Sequence, residues 1–373
     1  MRSVGAAPEA WSVTRLAASR GGLLTAALVF FAIVWTVLFV SFSASEELLA
    51  WDVRFAYLPA AEAVLDGESP YPALDDPILE EQKGYVYPPQ LAIALTPLTP
   101  LPVDVAAALL AGVMIALLAA TLAVLGIRDV RCYAAAFLWM PVTSGVLFAN
   151  VSVPLAFALA LAWRYRGRTW PPAVTLGLAV ATKLVLWPTL VWLLATRRLG
   201  AALGAALVGL TVTLAAWAAI GFVGFREFPD LLRRLSEIQS ENSYSVVGVA
   251  ATLGLDVAVG NALALALGAG ALLLCVIAAR RLDDFRSFTW AVAASLLLSP
   301  IVWLHYLVVL LVPLAIARPR FSPLWLLPIV LVVSPRPGYP EGAATFLPML
   351  VAAALLAVLL VRPSGRRGGG SVA

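Results

Sequence analysis

The run Gly22 to Val40 (GLLTAALVFFAIVWTVLFV) carries no charged side chain. About 20 apolar residues are what a helix needs to cross the hydrocarbon of a bilayer. Inside that hydrocarbon a backbone must satisfy its own polar groups, which restricts spanning segments to helices and closed barrels. Comparable unalternating runs recur to Val361, so the reading is an all-α polytopic membrane protein. Charged residues make up 12% of 373 positions, against about 25% in soluble domains. No polar stretch is long enough to bury a core of its own.

The arginines set the topology, because short cytoplasmic loops collect them. Arg2, Arg15 and Arg20 precede a first span at Gly22 to Phe42 that is longer than the ~7–15-residue apolar core of a signal peptide. It is read as an uncleaved span running outward. Further spans are expected at Val103 to Ile127, Cys132 to Phe148, Val151 to Trp163, Leu199 to Phe222, Val257 to Ala279, Phe288 to Pro300, Ile301 to Ala317, Phe321 to Val333 and Ala343 to Val361. Pro171 to Ala195 has Arg168 before it and Arg197 and Arg198 after it. A single pass would put one group outside, so two short helices meeting near Lys183 and Pro188 are expected. Gln90 to Leu98 is too short to cross and reads as interfacial or re-entrant.

The total is about 12 (11–13) transmembrane helices with both termini cytoplasmic. Residues 1–20 form a cytoplasmic segment and 21–362 a single membrane domain, with outer loops at 43–89 and 223–256. The glycine-rich tail 363–373 is expected to be disordered. Cys132 and Cys275 sit near inner span ends and read as reduced packing residues. The net charge of +4 follows from topology, and no basic run interleaves with aromatics as nucleic-acid binding would want.

The first outer loop, Glu46 to Pro89, gathers ten of the chain's 21 acidic residues against two basic ones, Arg54 and Lys83. Within it, Trp51 to Leu65 has the pattern of an interfacial amphipathic helix, broken by Asp66-Gly67 and Ser69-Pro70. In the second outer loop FPDLLRRLSEIQ reads as another, with Arg233 and Arg234 on its polar side.

Once the inner arginines are set apart, Asp52, Asn150, Lys183 and His305 remain, all in outer halves of spans or in the outer loop. Ionisable groups at membrane depth are costly and mark functional candidates. Asp52 is either a general base beside a membrane cavity or an N-terminal helix cap. Lys183 is a compact cation suited to a phosphate, or a snorkelling lysine. His305, the single histidine, suits a leaving phosphate or packs in the core. Arg233 and Arg234 suit a lipid-linked phosphate or lipid headgroups. Asp75-Asp76 and Glu80-Glu81 read as a solvated acidic surface; familiar metal spacings, a P-loop and a GxGxxG fingerprint are all missing from the sequence. No metal and no cofactor is expected.

Several motifs in order along most of the chain resemble glycosyltransferase family 87, the polyprenyl-phosphate-mannose-dependent α-mannosyltransferases. They are Asp52, Tyr57, Ala60 to Ala63 and Leu65-Asp66-Gly67-Glu68-Ser69-Pro70-Tyr71, then Tyr85-Val86-Tyr87-Pro88-Pro89 and Pro97-Leu98-Thr99-Pro100-Leu101-Pro102. Gly177-Leu178-Ala179 to Lys183 with Pro188, and Ser299-Pro300 with Trp303 and His305, continue the likeness. The resemblance implies a GT-C fold and catalysis on the non-cytoplasmic side of the plasma membrane. It implies inverting transfer from a polyprenyl monophosphate sugar to a glycolipid or polysaccharide acceptor, with Asp52 as base and Lys183 and His305 near the donor phosphate. Arg54, Tyr57, Tyr71, Tyr87 and Asn150 stand as substrate-binding candidates, and membrane lipids and the two substrates as partners. The family often has a Gly-Gln-x-Asn-like turn after the third span, where this chain reads Phe148-Ala149-Asn150-Val151-Ser152. Arabinofuranosyl transfer from a polyprenyl-phospho-arabinose is the alternative within enzymes. A lipid or solute transporter, or a non-catalytic assembly subunit, is the alternative outside them.

Overall fold

A computed structural model describes residues 10–46, 48–333 and 346–361. The first nine residues of the N-terminal segment, the stretch 334–342 between the last two expected spans and the tail 363–373 lie outside the described residues. The described chain is helical throughout, with no strand. Four helices are long and apolar enough to cross a bilayer: Gly21–Ser45, Val103–Val124, Leu199–Ala219 and Val257–Arg280. These make the chain a multi-pass membrane protein.

The expected total of about 12 (11–13) crossings is not what helix length delivers. Val130–Phe137 and Met140–Phe148 give a fifth candidate only if taken together, and they are bent by 66°. The bend falls where Pro141 opens the second helix, because proline has no amide to donate and its ring clashes with the preceding turn. Six more apolar helices run 10–17 residues, or roughly 15–25 Å at 1.5 Å per residue, short of the ~30 Å hydrocarbon. Two of the counted runs also begin or remain as 3₁₀ helix, over Leu304–Leu310 and Pro323–Val333. Apolar composition signalled immersion in these cases without specifying a full crossing.

The first helix, Ala10–Ser45, leans on the edge of the bundle. It touches the bent pair and is fastened there by Trp35 Nε1 donating to Thr143 Oγ1 at 3.1 Å. The core lies among the shorter helices, where Trp139, Trp192, Trp325 and Phe288 are fully buried. Each of two indoles finds an acceptor, Trp139 on the Trp325 carbonyl and Trp192 on the Asp284 carboxylate, both at 2.8 Å. Cys132 and Cys275 are buried and free.

The segment between the arginine clusters behaves as its flanks require. Trp170–Thr182 ends where Lys183 takes an extended backbone (φ −150°, ψ 112°), and Leu184–Leu186 and Pro188–Ala195 carry the chain back. Its two ends meet on one residue. Arg166 Nε lies 2.8 Å from Asp284 Oδ2, and Arg198 makes two 2.8 Å bonds to the same carboxylate. The segment is therefore a hairpin whose two ends meet at Asp284, with Lys183 at its far end.

Trp170–Thr182 packs most closely on Leu199–Ala219. The crossing is lined by small residues: Ala173 and Gly177 face Gly204, Ala205 and Gly209. Small residues let helix backbones approach in lipid, where no hydrophobic drive brings helices together.

Two helices on the polar-loop end complete the frame. Trp51 to Leu65 is helical as its pattern suggested, though Val53–Tyr57 is wound as a π turn. Phe228–Gln239 is the second amphipathic helix, with Leu231 and Gln239 buried.

Candidate active site

The approach to Asp52 is set by a tight turn. The Leu48 and Leu49 amides both donate to the Ser43 carbonyl. Ala50 then sits in the left-handed region at φ 56°, an uncommon conformation for a residue with a Cβ. Its amide donates to the Leu147 carbonyl at 2.5 Å, which anchors the turn to the helix Met140–Phe148. The π turn that follows is a winding found often at functional sites.

Asp52 does not cap this helix. It has helical backbone angles and makes no side-chain capping bond. Its carboxylate instead takes Asn150 Nδ2 at 2.6 Å and the Tyr57 hydroxyl at 3.1 Å, both on Oδ2. Asn150 is itself locked, since its Oδ1 accepts from the Ser152 amide at 2.9 Å and the Ser152 hydroxyl at 2.7 Å. That bonding fixes which end of the amide faces Asp52. The same Nδ2 reaches the Tyr87 hydroxyl at 3.2 Å.

These residues line a cavity of about 100 Å³. Asp52 lies deep among protein atoms but keeps surface open to this space. Burial pushes its carboxyl up to about 6, against the opposing pull of the Asn150 and Tyr57 hydrogen bonds and the Lys183 charge. Burial and the Asp52 charge raise the Tyr57 and Tyr87 phenols well above their usual range, so both stay neutral partners.

Lys183 approaches from the tip of the hairpin between Trp170–Thr182 and Pro188–Ala195. Its ammonium stands 3.5 Å from the centroid of the Tyr306 ring and 5.4 Å from that of Tyr87. Its Nζ is buried without a hydrogen-bond partner. The His305 Nε2 and Ser144 Oγ atoms are buried and unpartnered as well, and both residues line the same cavity. Buried polar atoms are nearly always satisfied; two unsatisfied ones line this cavity, and the third, Lys183 Nζ, stands behind its Tyr87 and Tyr306 wall.

The cavity is roofed from the two loops. Gln82 Nε2 donates to Gln239 Oε1 at 3.3 Å, and Gln239 Nε2 donates to the Leu79 and Glu80 carbonyls at 3.1 and 3.3 Å. Leu79, Gln82, Leu235 and Gln239 all line the space.

The structure thus brings together Asp52, Tyr57, Tyr87, Asn150 and His305, with Lys183 beside them behind Tyr87 and Tyr306. Four other candidates lie elsewhere. Arg54 is spent on Asp104 at 2.6 Å and on the Leu49 carbonyl. Tyr71 stands one layer out, stacked on Trp217 and bonded to the Tyr87 carbonyl at 3.2 Å. Arg233 and Arg234 are on the exposed side of their helix, paired with Asp230 and Glu237; the turn of the same helix that reaches the cavity carries Leu235 and Gln239.

Ser144, Tyr306, Gln82 and Gln239 escaped the sequence reading. A serine, a tyrosine and two glutamines carry no charge to distinguish them. The one available signal was that Tyr306 adjoins the chain's single histidine.

Comparison with known proteins speaks to the family of the chain. The model of glycosyltransferase family 87 matches residues 85–300, more than half of the chain. The matched stretch contains Tyr87, Asn150 and Lys183, starts after Asp52 and stops before His305. No curated protein and no solved structure matches. The chain belongs to glycosyltransferase family 87 and is a transferase.

Proposed function

We propose that this family 87 glycosyltransferase moves a mannosyl or related hexosyl residue from a polyprenyl monophosphate sugar to a glycolipid or polysaccharide acceptor. The reaction is placed at the outer face of the plasma membrane, on a GT-C arrangement in which the shorter apolar helices complete about 12 membrane segments. The observation that carries the reading is one cavity that holds a buried carboxylate on one wall and an unpaired ammonium behind another.

The chemistry follows from those two groups. Asp52 accepts the proton of an acceptor hydroxyl through Oδ1, the oxygen that neither Asn150 nor Tyr57 occupies. The acceptor oxygen bonds to the anomeric carbon as the bond from that carbon to the phosphate oxygen breaks, with inversion. The pair of electrons leaves on the polyprenyl phosphate, which passes from one negative charge toward two. Lys183 and His305 face that growing charge, and stabilisation that strengthens toward the transition state is what raises the rate. Among the cavity-lining residues Asp52 is the one carboxylate, and a single direct displacement asks for no second.

The orientation rests on the arginines. Arg164, Arg166, Arg168, Arg197 and Arg198 sit at the end of the hairpin remote from Lys183, which the positive-inside rule assigns to the cytoplasm.

The test is transfer in membranes expressing the chain over a knockout background, with labelled polyprenyl-phosphate-mannose and, in parallel, the arabinose donor. Wild type transfers mannose, and Asp52→Asn at equal protein level loses about 10²–10⁴-fold, the range for a general base. Arabinose transfer would keep the mechanism and change the sugar. Equal transfer by both proteins would remove Asp52 from the chemistry.

A further inference from the structure

We propose that Tyr306 is a positioning residue whose ring, together with that of Tyr87, holds the Lys183 ammonium ready for the donor phosphate. The inference rests on the assignment of Lys183 to that phosphate. A cation in a membrane-embedded wall needs something to offset lost hydration, and Lys183 has no carboxylate or hydrogen-bond acceptor on its Nζ. What it has is the face of Tyr306 at 3.5 Å and the face of Tyr87 at 5.4 Å. An aromatic face attracts a cation through its quadrupole, and more strongly when both are desolvated.

This choice of partner has a chemical consequence. A carboxylate bonded to Lys183 would cancel its charge and compete with the phosphate. An aromatic face steadies the ammonium and leaves its N–H donors open to an incoming anion. Tyr87 also joins this half of the site to the other, because its hydroxyl accepts from the Asn150 Nδ2 that holds Asp52. Tyr306 has its backbone amide on the Trp303 carbonyl at 2.9 Å, so its ring is carried by the same turn that presents His305.

The experiment measures donor dependence of transfer by the full-length chain, using the polyprenyl-phosphate sugar that wild type accepts. Tyr306→Phe keeps the ring and is expected to stay within about threefold of wild type. Tyr306→Leu is expected to lose roughly tenfold or more in kcat/KM, seen mainly in the donor KM. In a Lys183→Met background the same Tyr306→Leu change should cost little, since the cation it serves is gone. Fluorinated phenylalanines at position 306 preserve the ring's shape while draining its face, and transfer should fall stepwise with each fluorine; this series stands in if Tyr306→Leu does not fold. A flat fluorine series, or a Tyr306→Leu loss of equal size with and without Lys183, would overturn the positioning role. Lys183→Met as active as wild type would instead sink the phosphate assignment and this inference with it.

Discussion

Asp52 has a carboxyl held near 6 by burial, and this predicts how transfer depends on pH. A base must be ionised, so kcat/KM should fall away as pH drops below that value. The Asn150 hydrogen bond lowers the carboxyl's value. Asn150→Ala should therefore raise the midpoint of the acid limb, costing more activity at pH 6.5 than at pH 8; a pH profile displaced downward or left in place would refute the assignment. Stability follows the opposite course. The folded value is above the ordinary 3.8, so the folded chain holds the extra proton between the two and loses stability as pH rises through that window. Asp52→Asn should be more stable than wild type at pH 8, by about 1–3 kcal/mol, and no more stable at pH 3.5. Asp52, Lys183 and His305 stood out in the sequence because ionisable side chains are conspicuous in so apolar a chain. Ser144 and Gln239 did not, because their importance comes from the cavity they face. Charge marked Arg233 and Arg234 as well, and their helix turns them to solvent, away from the cavity.

Helix contacts are governed by glycine where Trp170–Thr182 crosses Leu199–Ala219. A Cβ on Gly177 would come within 2.7 Å of the Ala205 carbonyl and of Val208 Cβ, whereas one on Gly209 would meet the Gly177 carbonyl at 3.2 Å and one on Gly112 would meet nothing. Alanine substitution should follow that order in the detergent-solubilised protein. Gly177→Ala should destabilise by about 1–3 kcal/mol, the usual range for overpacking. Gly209→Ala should cost less, and Gly112→Ala should be neutral or slightly stabilising through helix propensity. A melting temperature for Gly177→Ala equal to that of Gly112→Ala would show that the crossing has slack. Since Gly177 lies in the helix that ends just before Lys183, its variant should also weaken donor binding. The hairpin course of this segment was readable because arginines flank both of its ends. The number of full crossings was not, because hydropathy cannot distinguish a helix that spans from one that enters, bends at Pro141 or tightens into a 3₁₀ turn.

The molecule is held as one body across its depth, with the site at one end and an ion cluster at the other. Asp284 accepts from Arg166, Arg198 and the Trp192 indole, and so pins the two feet of the segment whose far end carries Lys183. Burial works against this carboxylate, yet the bonds from Arg198 and Trp192 and the charge of Arg166 hold it below the usual carboxylate range. It is therefore ionised throughout the pH range of transfer and contributes to stability above its ordinary value, losing that contribution only in acid. Removing one member of such a cluster strands the others. Asp284→Asn leaves two guanidinium groups side by side without their anion, and because the carboxylate is 27% exposed water compensates in part. A loss of about 1–3 kcal/mol is expected, below the 3–5 typical of a fully buried pair. The distinguishing effect is on transfer. With its feet released, the segment should hold Lys183 less firmly, so the donor KM should rise severalfold. The acid limb should remain near 6, since Asp52 keeps Asn150 and Tyr57. Donor titrations at several pH values separate the two effects. If Asp284→Asn melted with wild type and bound donor as well, the feet would be held by the apolar contacts of Trp163, Trp192 and Phe288 alone, and the ion cluster would have no part in placing Lys183.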